Sequence, residues 1–165
     1  MSSLLHVMVN RKNCLSIHLT ELLCCPSHVK EDFSKGKNMK SIIQTAAAPQ
    51  AIGPYSQAVR AGEFLFISGQ LGMDPSTGML EENIETQTKR AMENIGAILA
   101  EAHGGFENIV KTTILLANIN DFSKVNEIYA SFLSAPFPAR ATYAVAALPK
   151  NALIEIEAVA YLPEK

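Results

Sequence analysis

Tryptophan is absent from this chain, and cysteine and histidine almost vanish after residue 38. All three cysteines (Cys14, Cys24, Cys25) and three of the four histidines (His6, His18, His28) precede Met39, so His103 stands alone in the remainder. That remainder has no disulfide, no thiol nucleophile and no His/Cys set with metal-ligand spacing. Charge is sparse, at 18% of residues, and nearly balanced, with a formal net charge of -2. A basic footprint for nucleic acid is missing. No apolar run approaches the roughly 20 residues of a membrane-spanning helix. Chemistry after residue 38 therefore falls to Arg, Glu, Tyr, Ser, Asn and backbone groups.

What is present suffices for one globular domain: 165 residues, 48% of them hydrophobic. The charge divides unevenly. Residues 1–38 carry five Lys/Arg against three Asp/Glu, and residues 39–165 carry nine against thirteen. Residues 1–38 lack sustained periodicity and end in a polar stretch, so they read as an extension, disordered or placed upstream of a start at Met39. Their first twenty residues hold no acid and include Arg11 and Lys12, a faint likeness to an organelle transit peptide. Cys24, Cys25, His18 and His28 match no standard zinc spacing. Residues 39–165 form the expected domain.

The pattern within that domain is regular. Ser56–Arg60 and Glu63–Ser68 read as two strands of a hairpin broken at Ala61-Gly62. A loop follows, from Gly69 to Gly78, with Asp74-Pro75 and Thr77-Gly78 as turn signals. Ile84, Thr88, Ala91, Met92, Ile95, Ile98, Leu99 and Ala102 recur in steps of three and four, which predicts one long helix over 84–102. His103-Gly104-Gly105 ends it, with glycine as the left-handed cap; His103 then sits at the negative end of the helix dipole. Ile109–Leu116 is a β-branched strand. Asn120 is expected to cap a second helix with Phe122, Val125, Tyr129, Phe132 and Leu133 on its inner side. Pro136 and Pro138 end it, and Ala139–Ala146 and Leu153–Tyr161 are the last strands. The order ββαβαββ, with a hairpin at each end, predicts an α+β fold: a mixed sheet with both helices on one face. The other face is then bare, and association of copies through it is the economical solution.

Charged residues interrupt the two most β-like runs. Within Phe137–Ala158, Arg140 opens one run, and Glu155 and Glu157 alternate with Ile154 and Ile156 in the other. Such residues are rarely fully buried unless paired. A buried ion pair and a ligand site are equally compatible with this spacing. The planar fork of arginine suits a carboxylate, and a glutamate can take a proton from water.

Several stretches resemble one family: Ala51-Ile-Gly-Pro-Tyr55-Ser-Gln, Ile67-Ser68-Gly-Gln70, Asn120-Asp-Phe, Val125-Asn126, Phe137-Pro-Ala-Arg140, and Leu148-Pro-Lys with Ile154-Glu155-Ile-Glu157-Ala. In order, over about 50–160, they resemble the Rid (YjgF-type) reactive-intermediate deaminases, and among them the RidA branch. The resemblance implies a chorismate-mutase-like fold and a homotrimer with a cleft at each subunit interface. It implies hydrolysis of reactive enamine/imine acids, 2-iminobutanoate and 2-iminopropanoate, to 2-keto acids and ammonia, with no cofactor and no metal. By position, Arg140 would hold the substrate carboxylate and Glu155 would position or activate water. Tyr55, Ser68 and Asn126 would line the cleft. Thr142 stands where many RidA proteins have a cysteine, and backbone groups there would meet the ligand. Glu157 is read as a structural partner or an exposed residue, so Glu155→Ala should abolish hydrolysis and Glu157→Ala should not. A non-catalytic trimer that binds small carboxylates or a regulatory partner is the alternative; RNA cleavage, linked to some members, is disfavoured by the acidic domain. Residence in the cytoplasm is expected, or in an organelle such as the mitochondrion if residues 1–38 are a transit peptide.

Overall fold

The structure, a computed structural model, describes residues 40–163. The expectations placed on residues 1–38, and the start at Met39, lie outside the described residues. Six strands form one sheet: β1 (Lys40–Ile43), β2 (Ala58–Ala61), β3 (Phe64–Leu71), β4 (Ile109–Leu116), β5 (Ala139–Ala144) and β6 (Ile154–Tyr161). Helix α1 (Ile84–Glu101) lies between β3 and β4, and α2 (Phe122–Ser131) between β4 and β5. The spatial order is β1-β2-β3-β6-β4-β5; only β4 and β5 pair in parallel. This is the expected mixed α+β sheet, extended by an additional edge strand, β1.

The core lies between the sheet and α1. Every position of the predicted α1 stripe is buried, from Ile84 to Ala102, each large apolar side chain contributing about 1.5–3 kcal/mol. Asn83 starts the helix with a capping box. Its side chain accepts from Thr86 N at 2.9 Å, and its own N–H donates to Thr86 Oγ1 at 3.3 Å.

Three local expectations need correction. The predicted C-terminal hairpin does not form: β6 enters the middle of the sheet, antiparallel to both β3 and β4. Its Ile154, Ile156, Ala158 and Ala160 are all buried, so this one-sided apolar strand gains most at the centre. The more exposed β5 takes the edge, reached from β4 by a crossover through α2. Next, the left-handed residue ending α1 is His103 (φ 61°), not a glycine. His103 N donates to Ala100 O and Gly104 N to Leu99 O, the two bonds of a Schellman ending. Gly104 is small for a different reason, since a methyl there would overlap Leu162. Last, Asn120 is not the cap of α2. Asn118 accepts from Asn120 N at 3.1 Å, capping a 3-10 turn (Ile119–Asp121) that leads into the helix.

The face away from α1 carries Phe64, Phe66 and Tyr161, all exposed, with the Phe64 ring tilted against the other two at centroid distances of 6.5 and 5.5 Å.

Candidate active site

Glu155 lies on the face of β6 that points away from α1, because its neighbours Ile154 and Ile156 fill the core. It opens into a cavity of about 520 Å³ whose walls include Tyr55, Ser68, Gly69, Met73, Lys150 and Glu157. The sequence makes room for it with a bulge. The register between β3 and β6 shifts between Ile67 and Gln70, and a methyl on Gly69 would overlap the Glu155 carboxylate. Burial, and after it the like charge of Glu157, push the Glu155 carboxyl above the ordinary carboxylate range. A carboxyl whose ionised form is disfavoured in this way is a stronger base than a free carboxylate, and can both take a proton and return it.

The cavity walls are tied to the core by buried carboxamides. Gln57 Nε2 donates to Ala48 O at 3.1 Å and to Pro49 O at 2.8 Å. Asn94 Nδ2 donates to Leu71 O and Met73 O at 3.1 and 3.0 Å. Gln87 Oε1 accepts from Leu153 N at 2.8 Å, fixing the entry to β6. Ser68 is already engaged: its hydroxyl donates to Ser56 O at 2.7 Å, which leaves its oxygen only as an acceptor. Tyr55 is half exposed on its turn, its N–H donating to Gly53 O at 2.8 Å. At the rim, Lys150 holds φ 57° and Asn151 φ 59° in the left-handed region, and Lys150 Nζ rests 3.3 Å from Met73 Sδ.

Arg140 sits in a different place. Its Nη1 donates to Asn126 Oδ1 of α2 at 2.8 Å, and its guanidinium carbon stands 5.5 Å from the Phe122 ring centre and 5.2 Å from that of Tyr129. Tyr129 is anchored in turn by a 2.8 Å hydrogen bond between its hydroxyl and Thr112 Oγ1. These contacts hold the fork in one plane and leave most of its N–H donors free. A second cavity, of about 330 Å³, opens here between Asn126, Tyr129, Phe137 and Arg140. Thr142, two residues along β5, has a buried hydroxyl without a hydrogen-bond partner.

Arg140 and Glu155 do not meet within one chain. Arg140 pairs across the sheet with Thr112, and Glu155 with Leu115. Paired residues share a face, and Thr112 and Leu115 are an odd number of residues apart on β4, so they point to opposite faces. The intramolecular ion pair that spacing left open is thereby excluded. Tyr55, Ser68 and Glu155 gather on one face, Asn126 and Arg140 on the other. Sequence reasoning missed the rings that hold Arg140, the carboxamides behind the cavity, and Gly69. A lone glycine inside a strand pattern is a bulge signal, but with turn signals following at Asp74-Pro75 the pattern alone places Gly69 at the start of a loop. Among the described residues no group of three or more His, Cys, Asp or Glu is placed to hold a metal ion.

Residues 45–162 match the family described as Endoribonuclease L-PSP. The chain is 56% identical over 123 residues to the human protein named 2-iminobutanoate/2-iminopropanoate deaminase, covering 74% of this chain and 90% of that one. It is 51% identical over 138 residues to Reactive Intermediate Deaminase A, chloroplastic, of Arabidopsis thaliana, covering 83% of this chain and 74% of that one. Among solved structures, RidA from an Antarctic Psychrobacter superposes with a TM-score of 0.73 at 46% identity, over 74% of this chain and 99% of that one. Escherichia coli TdcF with bound serine superposes with a TM-score of 0.71 at 40% identity, over 73% and 98%. With a match across nearly all of the described fold, this chain belongs to the Endoribonuclease L-PSP family, the YjgF/Rid proteins.

Proposed function

We propose that this protein hydrolyses short 2-imino acids, 2-iminobutanoate and 2-iminopropanoate, to 2-keto acids and ammonia, in a site completed by two copies of the chain. The observation that supports the reading is the placement of two groups: an exposed guanidinium held by Asn126 on one face of the sheet, and a half-buried carboxyl lining a cavity on the other. An imino acid needs both. The names of the human and Arabidopsis relatives support the chemistry, and the serine bound to the Escherichia coli relative is of the expected size and charge.

In this reading Arg140 binds the substrate carboxylate through two N–H groups and so orients the adjacent C=N. Asn126, Phe122 and Tyr129 hold the guanidinium ready. Glu155 of a neighbouring subunit takes a proton from water as its oxygen attacks the imine carbon, forming a carbinolamine. It returns that proton to nitrogen to complete the carbinolamine, then takes the hydroxyl proton as the C=O forms and passes it to the amino group, which leaves as ammonia. Water is the only co-reactant. Tyr55 and Ser68 line the substrate's other side, and Thr142 offers backbone groups and its unpaired hydroxyl near the fork. The exposed aromatic face suits burial against further copies, and a homotrimer closes the association without leaving that face bare. Cytoplasmic residence fits this role, with an organelle as the alternative if residues 1–38 direct it there, as the name of the Arabidopsis relative says of that protein.

The test generates the imine in place with threonine dehydratase and traps what remains with semicarbazide. Wild type should reduce the trapped product and Arg140→Ala should not. Tight binding of 2-keto acids without turnover would point instead to a carboxylate-binding module. Equal activity in both proteins would mean that the anchor lies elsewhere.

A further inference from the structure

Glu157 has no part in the hydrolysis just described, yet its place is unusual. It follows Glu155 by two residues on one strand, so both side chains leave the same face of the sheet with Cβ atoms about 6–7 Å apart. Both line the same cavity. Two carboxylates in one partly enclosed space repel, and the repulsion favours a proton on the more buried of them. Here that is Glu155, half-buried between Ile154 and Ile156, while Glu157 is exposed.

The other charges around Glu155 do not cancel this effect. Strand β3 supplies Ser68, Gly69, Gln70 and Leu71, all neutral. The loop before β2 supplies Tyr55, and the turn before β6 supplies Lys150, whose ammonium is turned onto the Met73 thioether. On β4, Lys111 shares the open face but pairs with Val159, beyond Glu157 as seen from Glu155. Burial and then the charge of Glu157 are what raise the Glu155 carboxyl; no cation offsets them.

We propose that Glu157 is a positioning residue whose charge adds to burial in holding a proton on Glu155 in the working site. The inference rests on the deaminase reading for its catalytic consequence, and on the strand geometry alone for the coupling. It answers a difficulty of a composite site. A guanidinium arriving from a neighbouring copy would hold Glu155 ionised and could pair with it directly, filling the fork that the substrate carboxylate needs. A second carboxylate beside Glu155 counters that pull. It keeps Glu155 basic enough to take a proton from water and acidic enough, once protonated, to hand it to the departing nitrogen.

The test uses full-length protein with ¹³C-labelled glutamate side chains, the Glu155 carboxyl signal being assigned from its loss in Glu155→Gln. Its titration is followed in wild type, Glu157→Gln and Glu157→Asp, and the pH dependence of kcat/KM is measured on the same samples. Removal of the charge in Glu157→Gln should move both the Glu155 titration and the acid limb of kcat/KM to lower pH. Glu157→Asp, which keeps the charge, should restore both toward wild type. The substrate's own titration is common to all three proteins and drops out of the comparison. An unmoved Glu155 signal in folded Glu157→Gln overturns the coupling, whatever the activity. A moved signal with an unmoved acid limb overturns its catalytic consequence. A moved signal in a protein without hydrolase activity upholds the coupling while refuting the deaminase reading.

Discussion

The two faces of the sheet treat their functional side chain in opposite ways. On one, Glu155 is drawn into a cavity, pressed against Gly69 and given a like charge for company, so that its ionised form is disfavoured. On the other, Arg140 is exposed, clasped by an amide and two aromatic rings, and keeps its charge available. In the proposed function the first arrangement suits an acid–base group and the second an anchor. Neither is a site alone, and the parity of positions on β4 prevents one chain from joining them. On the proposed reading, a single chain would hold two half-sites and a closed oligomer whole ones.

The contrast predicts that variants on the Glu155 face strike kcat and variants on the Arg140 face strike KM. The largest effect is expected for Glu155→Gln, a loss of about 10²–10⁴-fold in kcat, read in the coupled dehydratase assay. Gly69→Ala should approach it with no change to Glu155 itself, because the added methyl displaces the carboxylate; a fold unchanged by circular dichroism with kcat down about 10²-fold is the expected outcome. Asn126→Ala removes a partner of the fork while leaving both rings, so KM should rise by about tenfold with kcat nearly kept, the equivalent of about 1.4 kcal/mol. An equal fall in kcat for Asn126→Ala would break the division of labour.

The smallest effect is on stability, and its sign sharpens the comparison. A carboxyl that holds its proton more tightly when folded contributes stability in acid and loses it as the pH rises through its folded value. Glu155 is such a group. Glu155→Gln should therefore raise Tm near neutral pH and leave it unchanged in acid, whereas Arg140→Ala should give no pH-dependent gain. A Tm that falls at both pH values in Glu155→Gln would contradict the environment described for that carboxyl.

The helical part of this fold was legible in the sequence because a helix buries one stripe at a fixed period. All eight α1 positions read from that period are buried. The sheet was legible as strands but not as an order. Nothing local in Ile154–Tyr161 says that it will lie between β3 and β4, since that choice depends on which strand loses most by standing at an edge. Beta-1 was invisible because its four residues, Lys-Ser-Ile-Ile, are mostly exposed at an edge and carry no alternation. The residues proposed for the site stood out through family motifs, while their separation onto two faces did not. That separation follows from strand register, which sequence spacing does not contain. Gly69 was visible as a residue, and its purpose appeared only with the carboxylate beside it.

Subunit complementation tests the central claim most directly. Arg140→Ala, weakened in KM, and Glu155→Gln, weakened in kcat, each with little turnover alone at the low imine concentration the dehydratase supplies, would be co-expressed in equal amounts so that they assemble at random. If each site draws its anchor from one copy and its acid–base group from another, a mixed trimer holds one intact site, and the preparation should recover about a quarter of wild-type activity. If both residues serve a site within one chain, no mixture contains an intact site, and activity no greater than that of the separate variants would contradict the account.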